Sequence, residues 1–284
     1  MARNPSPIEQ QLQESLAFIR QHTQQNPRIG LILGSGLGSF ADTLSEADRI
    51  PTADIPHYPR STVEGHKGFL VFGKVEEVPV LAVQGRTHYY EGHPIDRVAY
   101  VVRLMGVLGI RKMLVTNAAG GVNPRFRPGD LMIIEDHINL MFRNPLIGPV
   151  VPPESRFPDM WGAYHPPYAD LIEETARELR IPVRRGVLFV STGPSYETGA
   201  EVQMIRRLGG DAVSMSTVPE VIVARARKIK VAGISCITNM ATGLSQTPLS
   251  HDEVTEIANR VKDSFQKLLR AVILRMDQLD EKGP

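Results

Sequence analysis

Between Arg86 and His93 the chain places an arginine, two histidines, two tyrosines and a glutamate within eight residues. Such side chains suit an anion. The Arg86 fork matches two phosphate oxygens, and His88 can donate to a third or move a proton near neutral pH. Surface salt bridges use the same residue types, but this cluster follows an apolar run, Val78–Val83, and loops at strand ends carry function disproportionately. A polar stretch upstream, Tyr58–Gly68, adds His66 as a candidate by its loop position. Another apolar run, Ile29–Leu33, empties into Gly34-Ser35-Gly36-Leu37-Gly38. Glycines permit positive φ and close approach of a ligand, and successive amides in such a turn form a concavity that fits phosphate. The spacing is Gly-x-Gly-x-Gly, not the Gly-x-Gly-x-x-Gly of dinucleotide binders, and the lysine of a Gly-x-x-x-x-Gly-Lys loop is missing. A tight turn required only for packing has the same composition.

Four further stretches place reactive side chains beside predicted strands. Thr116-Asn117-Ala118-Ala119-Gly120-Gly121 is a second turn of small residues. Glu197 follows the run Val187–Val190 and sits just outside a helix start, where helix-dipole stabilisation alone is worth about 0.3–1 kcal/mol. Met215 and Ser216 fall at a strand-to-helix junction, and Asn239, which can both donate and accept, ends the long apolar run Ile229–Thr238. Asp136 and His137 can ligate a metal, but no spaced set of histidines or cysteines accompanies them, so no metal site is expected.

The elements that must position these residues are legible as alternating periods. Ser6-Pro7-Ile8-Glu9, a capping box with proline at the first helical position, predicts a helix to about Gln24 with Leu12, Leu16 and Ile19 on one face. Strands are predicted at Ile29–Leu33, Phe69–Gly73, Val78–Val83, Lys112–Thr116, Leu131–Glu135, Val187–Val190, the start of Asp211–Thr217, and Ile229–Thr238. Helices are expected at Ala41–Asp48, Ile95–Leu108, Tyr168–Leu179, from Thr198 to Leu208, from Thr217 onward, and from the Ser250-His251-Asp252-Glu253 capping box to the end. Strand ends then converge on one crevice, where open α/β sheets bind ligands. Seven prolines between Pro145 and Pro167, with Phe157 and the only tryptophan, Trp161, predict a long loop that is functional or pinned by a partner.

Composition bounds the function class. Lys+Arg 32 against Asp+Glu 31 gives a formal net charge of +1, which offers no footprint for nucleic acid or an anionic membrane. A hydrophobic content of 42% over 284 residues supports a large core. The single cysteine, Cys236, excludes disulfides within the chain and favours a reducing compartment. No signal-like or spanning apolar segment is present, and a soluble cytoplasmic protein is expected.

In order along the chain, Gly34–Gly38, Ser61–Gly68, Gln84–Gly92, Thr116–Gly121, Gly193–Thr198, Met215–Glu220 and Thr238–Asn239 resemble the motifs of trimeric purine nucleoside phosphorylases of the 6-oxopurine type. The resemblance runs from about Ile29 to Val254. It implies one α/β domain over 1–284, a mixed central β-sheet flanked by helices, and a homotrimer with active sites near subunit boundaries. It also implies attack of inorganic phosphate on carbon 1 of the ribose of inosine, guanosine or their 2′-deoxy forms, releasing purine and (deoxy)ribose 1-phosphate. On this pattern Ser35, His66, Arg86, His88, the amide of Ala118 and Ser216 hold phosphate, with Glu91 close by. Tyr90, Met215, His251 and a neighbouring subunit's Phe157 orient ribose. Tyr196, Glu197 and Asn239 read the purine, and Asn239, His88 and Glu197 are the expected catalytic groups. Phosphate is the co-substrate, and no metal or organic cofactor is implied.

The chain departs from vertebrate members in having Tyr196 where they carry phenylalanine, and in Met240 with Ala241-Thr242-Gly243 after the asparagine, before Ser245–Leu249. These features resemble bacterial members and leave acceptance of xanthosine open. Other readings on related chemistry are a methylthioadenosine phosphorylase, which carries aspartate where Asn239 stands, a nucleosidase using water, and a nucleoside-binding protein without turnover.

Overall fold

Residues 6–63, 65–244 and 251–279 are described in the computed structural model, those at 251–254 by backbone alone. Helix α1 (Pro7–His22) begins where its capping box predicts: Glu9 accepts from the backbone N–H and the hydroxyl of Ser6 at 2.8 and 2.7 Å. Strands β1 (Ile29–Ile32), β2 (Ser45–Pro51), β3 (Phe69–Val75), β4 (Val78–Gln84), β5 (Lys112–Gly121), β6 (Leu131–Asn139), β7 (Val183–Val190), β8 (Ala212–Ser214) and β9 (Lys230–Met240) follow. They form a mixed sheet of nine strands in the order β2-β3-β4-β1-β5-β8-β7-β6-β9. Because β9 also pairs in parallel with β5, the strands β5, β8, β7, β6 and β9 close into a ring, and β1, β4, β3 and β2 extend from it as a wing. The expected open sheet is therefore closed at one end, which pairs edges that would otherwise present free backbone groups.

Three local expectations give way to long-range pairing. Ala41–Asp48, predicted helical, divides into a 3₁₀ stretch, Gly38–Thr43, and the exposed edge strand β2, which pairs antiparallel with β3. The available edge of β3 and the burial of Ile50 outweigh a weak helical pattern. The strands expected to stop at Thr116 and Thr238 both run on, to Gly121 and Met240, because they hydrogen-bond to each other. A register shift between Ala119 and Gly120 puts a β-bulge in this pair, and such bulges re-aim side chains.

Helices cover the sheet on three sides. α1, α3 (Tyr100–Val107) and α6 (Val218–Ala226) bury Leu12, Ile19, Leu104 and Val221 against one face. The short α2 (Ile95–Val98) precedes α3, the break falling at Ala99 in what reads as one continuous helix. On the other face α4 (Pro166–Leu179) and α7 (His251–Gln278) bury Tyr168, Ile172, Phe265, Leu269 and Val272, each aliphatic or aromatic side chain contributing about 1.5–3 kcal/mol. α5 (Gly199–Arg207) packs Val202 and Ile205 on Phe189 and Val213. The proline-rich loop is fastened by Glu154, whose buried carboxylate meets Arg103 of α3 at 2.8 Å and Arg227 at the end of α6 at 3.0 Å. Among the described residues no helix is long and apolar enough to cross a membrane.

Candidate active site

The main cleft lies where the carboxyl ends of β1, β4, β7 and β8 meet the end of β5 and the bulged end of β9. Its empty space, open mouth included, is about 770 Å³. Ser35, Arg86, His88, Tyr90, Ala118, Tyr196, Glu197, Met215, Ser216 and Asn239 all line it, so residues far apart in the chain share one surface.

The glycine-rich loop does two jobs. At Gly34 a side chain would put Cβ 2.6 Å from Cα of Asn117, so glycine is what lets the end of β1 touch β5. Gly36, at φ 75°, takes the left-handed conformation that turns the chain. Ser35 stands between them on the cleft wall, its hydroxyl 3.4 Å from Nε2 of His66.

Arg86 is the most constrained charge in the cleft. It is 2% exposed, its Nη1 donates to the hydroxyls of Ser216 (2.7 Å) and Thr217 (3.1 Å), and its Nε lies 3.2 Å from the carboxylate of Glu220. Burial pushes the guanidinium pKa down and the Glu220 charge pushes it back up. The Nε–Glu220 contact is ionic and lacks hydrogen-bond alignment, and Nη2 of Arg86 has no hydrogen-bond partner among the described residues. A planar cation whose Nη2 is in neither a hydrogen bond nor an ion pair can donate to an anion entering the cleft. Glu220 and Thr217 are functional neighbours that sequence reading missed. Thr217-Val218-Pro219-Glu220 reads as a helix start, and only the packing of α6 against Arg86 reveals a different use. Thr217 itself sits at φ 79°, ψ −52°, a strained conformation costing on the order of 1–3 kcal/mol for a non-glycine residue.

His88 is held by its own 3₁₀ turn. Its backbone N–H and its Nδ1 donate to Oε1 of Glu91 at 2.6 and 3.1 Å, and the ring stacks on Tyr90 with centroids 4.7 Å apart. Thr62 donates to the second Glu91 oxygen through its backbone N–H and its hydroxyl, which ties the 59–68 loop to this turn. Burial lifts the Tyr90 phenol to about 12, with the Glu91 charge adding to the shift, so Tyr90 is neutral at ordinary pH. His66 does not line the main cleft. It stands behind Ser35 in an adjoining hollow with Gly36 and Gly85, its ring centroid 5.4 Å from that of His88 and its Nδ1 donating to the Arg86 carbonyl at 2.9 Å. Burial first, and then the neighbouring His88 and Arg86 charges, lower its pKa to about 4.

A second set of groups shares the cleft. The hydroxyl of Thr238 donates to Oδ1 of Asn239 at 3.0 Å, which orients the amide so that Nδ2 is its donor, with the Met240 carbonyl as one acceptor at 3.2 Å. Asn239 reaches the cleft from β9 beside the bulge, opposite Gly120. Glu197 is half-buried and accepts from the hydroxyl of Ser191 at 2.8 Å, while Thr198, next in the chain, caps α5 by accepting from the Glu201 N–H. Tyr196 and Met215 complete this wall. Thr238 and Ser191 are orienting groups that only the structure reveals.

One expected site residue lies elsewhere, and one falls outside what is described. Phe157, 87% exposed, borders a separate depression with His137, Ile147 and Met160, and does not reach the cleft of its own chain. His251 opens α7, and its side chain lies outside the described residues.

Comparison with known proteins follows this geometry. The phosphorylase superfamily profile matches residues 28–274. Purine nucleoside phosphorylase 1 of Bacillus subtilis (strain 168) is 51% identical over 271 residues, which cover 95% of this chain and 100% of that protein. A crystal structure of Schistosoma mansoni purine nucleoside phosphorylase in complex with inosine superposes with a TM-score of 0.88 at 35% identity, covering 97% of each chain. The adenosine complex of Schistosoma mansoni purine nucleoside phosphorylase gives a TM-score of 0.89 at the same 35% identity, over 96% of this chain and 98% of that one. With the superfamily profile spanning most of its length and 51% identity to a full-length relative, the chain belongs to the purine nucleoside phosphorylase family of the phosphorylase superfamily.

Proposed function

We propose that the chain cleaves 6-oxopurine nucleosides with inorganic phosphate, giving purine and (deoxy)ribose 1-phosphate. A phosphate oxygen bonds to carbon 1 of the sugar as the glycosidic bond breaks, and the bonding pair leaves on the base, which then takes a proton. Arg86, His88, Ser35, Ser216 and the Ala118 amide hold phosphate for this attack, with His66 supporting Ser35. Tyr90, Met215 and His251 orient the ribose.

The departing purine carries negative charge, and Asn239 donates to its carbonyl or nitrogen 7 as that charge grows. Glu197 accepts from the protonated nitrogen 1, and Tyr196 packs on the ring. A donor placed where transition-state charge develops is typically worth about 3 kcal/mol in rate. The observation that carries this reading is the joint presence, in one cleft, of a buried cation with hydroxyls and of a carboxylate beside an oriented amide.

On the same reading the single 1–284 domain works as a homotrimer in the cytoplasm, without metal or organic cofactor and without a nucleic-acid or membrane partner. The exposure of Phe157, with Trp161 and Ile147 also exposed, supports a neighbouring subunit as the place where its ring is used. Since a solved relative is in complex with adenosine, selectivity here is defined by turnover, not by occupancy.

The test is product analysis with inosine in the presence and absence of phosphate. Hypoxanthine with ribose 1-phosphate, formed only when phosphate is added, supports the proposal. Free ribose without phosphate means a nucleosidase, and tight nucleoside binding without turnover means a binding protein.

A further inference from the structure

Thr217 is 1% exposed and occupies a γ-turn of the rarer hand: at φ 79° and ψ −52° the N–H of Val218 donates back to the carbonyl of Ser216 at 2.9 Å. A β-branched residue is among the least suited to this conformation. The position is also the N-cap of α6, where a threonine hydroxyl ordinarily accepts from the helix, yet Thr217 makes no such bond. Its Oγ1 accepts instead from Nη1 of Arg86 at 3.1 Å and from Nδ2 of Asn117 at 2.8 Å. Glu220, an acid in the first turn of the helix, is likewise spent on Arg86. Both residues forgo their usual helix-starting roles for one guanidinium.

We infer that Thr217 is the positioning residue of the phosphate subsite. Its rare-handed turn swings the Ser216 and Thr217 hydroxyls and the Glu220 carboxylate onto Arg86 together, and so fixes which guanidinium N–H is left for an oxygen of phosphate. Two hydroxyls hold Nη1, the carboxylate neighbours Nε, and Nη2 has no hydrogen-bond partner among the described residues. Asn117, on β5, locks the Thr217 hydroxyl from the opposite side, so the arrangement is tied to the sheet and does not drift with α6. The inference rests on the reading that Arg86 holds phosphate, and it adds that the helix start, not Arg86 alone, sets the geometry.

The experiment compares Thr217→Val, Thr217→Ser and Arg86→Ala in phosphate saturation, nucleoside saturation and Tm. Thr217→Val keeps the shape and loses the acceptor. Loss of a hydrogen bond to a charged group predicts a phosphate KM raised about tenfold or more, against a nucleoside KM changed far less. Thr217→Ser should restore phosphate KM to within about twofold of the parent, because the acceptor returns. If Arg86→Ala retains ordinary phosphate saturation, the underlying reading fails. If Arg86→Ala loses saturation while Thr217→Val keeps it, the positioning role alone is wrong.

A second pair of variants covers the case in which valine prevents folding. Thr217→Gly relieves the positive φ and should melt above Thr217→Ala, yet bind phosphate no better than alanine does. A glycine variant with parental phosphate KM overturns the inference.

Discussion

Glu91 holds His88 through two bonds from the same residue, the backbone N–H at 2.6 Å and the ring Nδ1 at 3.1 Å. With Nδ1 committed, Nε2 is the nitrogen available to a ligand. Burial raises the Glu91 carboxyl, but hydrogen bonds from His88 and Thr62 outweigh it and bring the pKa down to about 2. Replacing Glu91 with Gln should therefore raise the phosphate KM about tenfold, in line with loss of a charged hydrogen bond, and leave nucleoside KM nearly unchanged. The same change has a stability signature. The ionised carboxylate stabilises the fold above the ordinary glutamate range near about pH 4.3, and this contribution is lost as pH falls towards about 2. Acid unfolding followed by circular dichroism should show a shallower slope in that window for Glu91→Gln, and an unchanged slope would remove Glu91 from this role.

His66 predicts a second pH effect of the same sign from the opposite chemistry. Its folded pKa of about 4 lies below the ordinary histidine value near about 6.5, so between these limits the unfolded chain binds the extra proton. Stability is complete above about pH 6.5 and declines as pH falls through about 4. His66→Asn should flatten the dependence of Tm on pH between those values. A parental profile in the variant would mean that the buried ring is not what titrates.

Base choice follows from which groups can donate. An ionised Glu197 only accepts, so it pairs with the protonated nitrogen 1 of hypoxanthine or guanine and faces a lone pair on adenine, an unpaired arrangement costing about 1–3 kcal/mol. Inosine and guanosine should be cleaved, with adenosine nearly inert. Asn239→Asp replaces a donor with an acceptor for the adenine amino group and should move the kcat/KM ratio of adenosine to inosine upward by about tenfold or more. Similar ratios in parent and variant would show that these two residues do not read the base.

Phe157 is the proposed contribution of one subunit to another. Light scattering should report three chains, and Phe157→Ala should keep that mass while raising the nucleoside KM. Loss of a buried aromatic contact of this kind is worth about 1.5–3 kcal/mol, or roughly ten- to a hundredfold in affinity. A monomer with full activity rules out both the trimer and the donated ring.

Much of this protein is written locally. The Ser6 and Thr198 capping boxes mark helix starts, the runs Phe69–Gly73 and Val78–Val83 mark a hairpin, and the seven stretches that carry the family resemblance meet in or beside the cleft. These signals are short-range, since capping, alternation and turn chemistry act over a few residues. What the tertiary structure decided depends on partners distant in the chain. Pairing of β9 with β5 closes the sheet and carries both strands past their apparent ends, so that the extra residue at Thr238 bulges β9 and leaves Asn239 opposite Gly120. The helix start at Thr217 takes a γ-turn of the rarer hand, its hydroxyl claimed by Arg86, just after β4, and by Asn117, on β5. Glu220 likewise looks like a first-turn acid until Arg86 is packed beside it. Residue type and spacing named the groups that carry charge and hydrogen bonds. Long-range packing chose their partners, because a buried charge or hydroxyl must be satisfied by whatever the fold brings within reach.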